Sequence, residues 1–215
     1  MPFQHAMERS SGSVLATPLR WACWVCPALA CIALAIGSSA AAAQDSVKAM
    51  TAVQAVPALD VDRYMGTWFE IAKFPNYFQR KCASDTQAIY SKRADGLIKV
   101  LNSCKTNEGK VNIAQGLARP DLTTSPLSSK LQVRFAPAWL SWLPFVWGRY
   151  WVVMLDPDYR YAVVSEPRRK YLWILSRTAH MDKMQYDGIV EQIRALGFDT
   201  QKLQRSVQTA TNVTP

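Results

Sequence analysis

The chain has 215 residues, 25 basic and 16 acidic side chains, a formal net charge of +9 and 49% hydrophobic residues. That length supports one substantial core and the charge suits an anionic surface, while the absence of an aromatic-interleaved basic motif or a nucleic-acid fold signature excludes nucleic acid as a partner. Two histidines and five cysteines, three of the cysteines near the N-terminus, cannot build the usual zinc constellations or a Cys-His nucleophile pair, so neither metal nor cofactor is expected.

Residues 1–43 read as a secretory signal peptide. Arg20 precedes an apolar run from Trp21 to Ile36, and small residues follow from Gly37 to Ala43, the order of an export signal with its cleavage site. The run is shorter than the roughly 20 residues that span a bilayer, which favours cleavage near Ala43 over a retained anchor. The context Ala28-Leu29-Ala30-Cys31 argues against a lipid anchor, because apolar residues continue to Ile36. After cleavage Cys82 and Cys104 are the only cysteines and His180 the only histidine. Two thiols in an oxidising compartment favour one disulfide. Residues 44–60 read as a flexible leader, 61–208 as a single domain and 209–215 as a tail.

Within the domain, short apolar or alternating runs are separated by turn signals, the pattern of an antiparallel barrel or sandwich. Strands are predicted over Thr67–Phe74, Asp85–Lys92, Leu97–Ser103, Val111–Arg119, Lys130–Phe135, Tyr150–Leu155, Tyr161–Ser165 and Tyr171–Arg177. Asp95-Gly96 suits the tight second turn, since those residues tolerate positive φ. Asp156-Pro157-Asp158-Tyr159 and Glu166-Pro167-Arg168-Arg169 mark later turns. Met181, Met184, Ile189, Ile193 and Leu196 recur at helical spacing, with Gly197 as the stop. The predicted fold is all-β: an eight-stranded antiparallel up-and-down barrel with one C-terminal α-helix packed on the outside. Such a barrel is wide enough for one small ligand.

Strand parity maps the two ends. If the first strand runs from base to mouth, Cys82 and Cys104 both fall at the mouth. The hairpin register agrees, so a Cys82–Cys104 bridge is allowed, with two buried free thiols as the alternative. Alternation puts Trp68, Glu70 and Ala72 on one face, expected to be the inner one. A carboxylate there needs a partner; Glu70 would orient a polar ligand head or bond an inward tyrosine. Alternation adds Ala88, Val153, Leu131, Val133 and Phe135 to the lining, where packing and pocket lining are partly the same role.

The stretch Tyr64-Met65-Gly66-Thr67-Trp68-Phe69-Glu70-Ile71-Ala72, the turn Leu155-Asp156-Pro157-Asp158-Tyr159 and the strand ending Leu175-Ser176-Arg177 resemble, in order, the three motifs of the lipocalins. Tyr90-Ser91, the Asp95-Gly96 turn and Tyr150-Trp151-Val152-Val153 add to the likeness, which covers about Val61 to Gln208. In detail the chain is similar to the bacterial outer-membrane lipocalins related to apolipoprotein D. The resemblance implies that Gly66, Trp68, Asp156, Tyr159 and Arg177 are structural motif residues at the barrel base and that Tyr90 and Trp151 face the cavity. It also implies a periplasmic protein associated with the outer membrane, although the lipid anchor common in that group is missing its signal.

The segment Ala136 to Trp147 is uncharged and holds Trp139, Trp142, Phe145 and Trp147. It is too short to cross a membrane but suits an interface, where indoles favour the headgroup layer. Parity places it at the mouth, as a membrane contact, a folded-back lid or a homodimer patch. The function expected is binding and transport or storage of a small amphiphilic lipid, a fatty acid or lysophospholipid, in the bacterial envelope, without catalysis. The alternatives are an enzyme using Glu70 and Tyr90, and a structural envelope protein without ligand.

Overall fold

A computed structural model describes residues 52–121 and 129–209; the signal peptide and nearly all of the expected tail lie outside them. Eight antiparallel strands follow one another: β1 Gly66–Lys73, β2 Ser84–Lys92, β3 Ile98–Lys105, β4 Val111–Pro120, β5 Lys130–Arg134, β6 Gly148–Leu155, β7 Tyr161–Ser165 and β8 Leu172–Ser176. Each pairs with its chain neighbour, and β1 pairs with both β2 and β8, which closes the barrel. The sequence-derived limits fall within two residues of these. A two-residue strand not foreseen, β9 Gln204–Arg205, joins β1 at Ala72 and Lys73.

Turn chemistry sets the register. Gly96 adopts φ 79°, and the Arg93 amide donates to the Leu97 carbonyl at 2.8 Å to lock the β2–β3 hairpin. A short helix, α1 Val61–Tyr64, precedes β1; the Asp60 carboxylate caps it by accepting from the Asp62 and Arg63 amides. The second helix, α2 Lys183–Ala195, is capped by Asp182. It ends where Gly197 takes φ 83° and the Phe198 amide returns to the Ile193 carbonyl. Ile189 and Ile193 are its buried face, whereas Met184, expected on that face, is 83% exposed, and buried Met181 precedes the helix.

Two apolar clusters lie on opposite sides of the barrel wall. One draws residues from β1 to β8, including Trp68, Tyr90, Val100, Leu131, Val152 and Leu175, so it occupies the interior. The other joins Ala72, Trp151, Val153, Val163 and Ile174 to Ile189 and Ile193 of α2, so it lies between wall and helix. Residues 52–60, expected as the end of a flexible leader, run against this wall instead. Val53 and Leu59 are buried, and the Val56 amide donates to the Val152 carbonyl at 2.8 Å. Cys82 and Cys104 form the expected disulfide, with Cα atoms 5.5 Å apart.

Candidate functional site

The antiparallel order puts the β1–β2, β3–β4, β5–β6 and β7–β8 connections at one end, the mouth, and the other connections with α1 at the base. The base is plugged. Trp68 is fully buried, its Nε1 donates to the Tyr64 carbonyl at 2.8 Å, and the Arg177 guanidinium lies 3.9 Å over its ring. Arg177 also donates to the carbonyls of Tyr159, Thr67 and Arg63. These bonds clamp the β7 turn, β1 and α1 together. Gly66 sits beneath the same guanidinium: its φ is 92°, and an added Cβ would lie 3.3 Å from Arg177 Nη1. Asp156 holds its turn by accepting from the Asp158 and Arg160 amides and the Arg160 guanidinium. The Arg160 bond holds the Asp156 carboxyl below its ordinary range. Tyr159, at φ 61°, presents its hydroxyl to the Asp60 amide.

Above the plug, Ala88, Tyr90, Leu131 and Val133 belong to the interior. Phe135, beyond the end of β5, is 45% exposed, with its ring over Gly116. Three expected lining residues do not face the lumen. Ala72 follows a register shift in β1 between Glu70 and Ala72, which turns it outward into the helix-side cluster. Trp151 and Val153 share that cluster; Lys130, paired with Trp151 across β5 and β6, lies 4.5 Å over its ring on the outer face. Their inward counterparts on β6 are Tyr150 and Val152. The same register shift brings Lys73 back to the Glu70 side.

Glu70 is 2% exposed and bonds no tyrosine. It accepts from Lys73 Nζ at 3.0 Å, Gln79 Nε2 at 2.5 Å and Ser206 Oγ at 2.5 Å. Beside this network a cavity of about 330 Å³ opens at the mouth, bordered by Lys73, Gln79, Arg80, Thr86 and Arg205. The C-terminal segment fills the seam where β1 and β2 part. The Ser206 amide donates to the Ile71 carbonyl, the Asp85 amide donates to the Val207 carbonyl, and the Gln208 side chain donates to the Glu70 and Thr86 carbonyls.

Sequence reasoning missed a cluster deep in the lumen. The hydroxyl of Tyr150 lies 2.8 Å from that of Tyr64 and 3.0 Å from that of Tyr90. Burial pushes the Tyr90 phenol up to about 12. Burial also raises Tyr64 and Tyr150; Tyr90 adds to the rise at Tyr64, against an opposing hydrogen bond from Tyr150, and both neighbouring phenols add to it at Tyr150, so all three stay protonated at neutral pH. The signal for Tyr150 was its position opposite Leu131, legible only once the β5–β6 register is known.

Two stretches of the mouth rim are apolar. Trp139, Trp142 and Phe145 are 73%, 77% and 79% exposed, and Tyr77 and Phe78 of the β1–β2 connection are also exposed. Trp147 instead anchors its loop: Arg119 lies 3.9 Å over its ring, Arg134 flanks it, and its Nε1 donates to the Ser141 carbonyl.

Residues 59–208 match a family model described as a lipocalin-like domain. The chain belongs to the lipocalin family. Lipocalins typically bind small hydrophobic ligands and are generally binding or transport proteins rather than enzymes. This lipocalin is 44% identical to temperature-induced lipocalin-1 of Arabidopsis thaliana over 74% of its own length and 84% of that protein's. It is 38% identical to the outer membrane lipoprotein Blc of Escherichia coli strain K12, over 70% and 80%. Against apolipoprotein D of Macaca fascicularis the identity is 34%, over 67% and 74%. Among solved structures, insecticyanin from Manduca sexta shares the fold with a TM-score of 0.56 at 22% identity, over 72% of this chain and 83% of that one.

Proposed function

We propose that this lipocalin binds a small amphiphilic lipid, a fatty acid or lysophospholipid, and stores or carries it in a bacterial cell envelope. The observation that carries this reading is the asymmetry of the barrel. Its base is sealed by Tyr64, Trp68 and Arg177, whereas its mouth joins an apolar rim to a polar cleft beside Lys73 and Arg80. An apolar tail in the lumen gains about 0.8 kcal/mol per methylene removed from water, while the cleft suits a charged or polar head. The export signal expected in residues 1–43 and the likeness to a protein named an outer membrane lipoprotein support the envelope. Catalysis is not part of the proposal, because Glu70 is engaged by three donors and the Tyr90 hydroxyl is bonded.

Native mass spectrometry of the exported protein, followed by lipid extraction, tests the reading. A stoichiometric fatty acid or lysolipid is expected. A protein that leaves the cell empty and takes up neither lipid on addition refutes it.

A further inference from the structure

We propose that the lumen of this lipocalin recognises a neutral hydroxyl group carried at the buried end of its amphiphile, through the Tyr64–Tyr150–Tyr90 cluster and the Asn102 amide. The inference rests on the carrier reading and names which chain that carrier prefers. Its basis is a count of protons. Three hydroxyls joined by two O–H···O contacts use two of their three hydrogens, whichever way the bonds run, so one O–H is always left to donate. Tyr64 is 1% exposed, and a spare hydrogen there would be buried without an acceptor, a costly arrangement. Tyr90, 7% exposed, is excluded on the same ground, so the spare donor belongs to Tyr150, the half-buried member of the three. Tyr150 points inward from β6 and is only half-buried, and on this proposal the cluster is the polar floor of the ligand site.

A second group in the lumen is unmatched in the opposite sense. Asn102 lies on the inner face of β3, paired with Ala88 and Ala114, one inward step toward the mouth from Val100, the partner of Tyr90. Its Oδ1 is buried and has no hydrogen-bond partner. The side chains level with it on the neighbouring strands are small, Ala88 on β2 and Ala114 on β4, while the Phe135 ring covers Gly116 one inward step toward the base. A methyl terminus placed here satisfies neither group, and an ether or ketone satisfies only the phenol. A hydroxyl accepts from the tyrosine and donates to the amide. Ionised ends are disfavoured at the floor for the same reason that the phenols resist ionisation, the loss of water around charge.

The test compares stearic acid, its ω-methoxy derivative and its ω-hydroxy derivative by calorimetric titration of the exported protein. The hydroxy acid is expected to bind about three- to tenfold more tightly than stearic acid, the increment of one or two net hydrogen bonds, with the ether between them. In a Tyr90→Phe/Tyr150→Phe variant the three affinities should converge, because both lumen-facing hydroxyls are gone. Asn102→Leu should close the gap between alcohol and ether while leaving the ether's advantage over stearic acid. The wild-type ranking decides the matter even if a variant fails to fold. Equal wild-type affinities overturn the hydroxyl inference alone, and a preference that survives the double substitution overturns the assignment to these tyrosines. Failure of all three acids to bind overturns this inference, and failure to take up lysophosphatidylcholine as well overturns the carrier reading with it.

Discussion

Glu70 and Lys73 form an ion pair at 3.0 Å although they stand three apart on one strand, a spacing that puts side chains on opposite faces of a regular β-strand. The β1 register shift beside Ile71 makes the contact possible. It also hands the end of β1 from β2 to the C-terminal segment, whose Ser206 hydroxyl completes the Glu70 shell.

Because Glu70 is nearly inaccessible, removing it strands three donors. Glu70→Ala is expected to cost about 3 kcal/mol, the scale for breaking one side of a buried pair. A Glu70→Leu/Lys73→Met double variant should recover most of that loss. Denaturant unfolding of the two variants against the parent checks it, and a double variant no more stable than Glu70→Ala would disprove the coupling.

Arg177 joins three backbone carbonyls and an indole, so its value lies in a planar fork as much as in charge. Arg177→Lys should lower stability by about 2 kcal/mol and Arg177→Ala by more. A thermal melt in which lysine matches arginine would show that charge alone suffices.

The Cys82–Cys104 bridge spans a sequence separation of 22. Constraining a loop of that size stabilises by about 3 kcal/mol in the chain-entropy account. Paired Cys82→Ser/Cys104→Ser substitutions should lose that amount, and a reducing agent should have no further effect on the variant. The bridge ties the β1–β2 connection to the end of β3, so proteolysis of the reduced protein is expected to begin in residues 74–83.

How much was legible depends on where the pattern carried information. Turn residues and alternation located all eight strands, and the Trp68 to Arg177 pairing marked closure. Tyr150-Trp151-Val152-Val153 carried no such signal, because β6 is buried on both faces, by the lumen and by α2, and is apolar at each of these positions. Ala72 was misplaced because one bulge reverses every later face. The polar strand β9 is set by the seam it fills rather than by its own propensity.

That seam is acid-sensitive. Burial acts to raise the Asp85 carboxyl, but the Thr209 hydroxyl, Lys105 and the Thr209 amide outweigh it and hold the group well below the usual carboxylate range. Its folded value being depressed, the contribution is present above the unfolded value of about 4 and is lost as pH falls through the folded value. Asp85→Asn should therefore lose less stability than wild type between about pH 6 and pH 3. Hydrogen exchange should show residues 204–209 opening first in the acidified wild type. Identical acid profiles for the two proteins would rule the clamp out, leaving Asp156, also depressed through Arg160, as the acid-sensitive carboxylate.

On the proposed carrier reading, the exposed rim is where the barrel would meet a lipid source. Trp139, Trp142 and Phe145 are exposed at the mouth, the end that also carries exposed Tyr77 and Phe78, and the excess of basic over acidic residues adds attraction to an anionic surface. The indoles suit the headgroup layer, so a docked mouth lets a chain pass without exposing its methylenes to water. A Trp139→Ala/Trp142→Ala/Phe145→Ala variant should bind anionic phosphatidylglycerol vesicles at least about tenfold more weakly, roughly the loss of a few buried aromatic contacts. Its affinity for a soluble lysolipid should stay within about twofold, because none of the three belongs to the interior cluster. Raising salt should weaken vesicle binding of both proteins by screening, while the difference between them persists, since the aromatic share is not electrostatic. If the loop is instead a lid, the variant changes ligand release and leaves vesicle binding intact. If it is a dimer patch, the variant shifts the sedimentation profile. Either result removes the membrane from the mechanism.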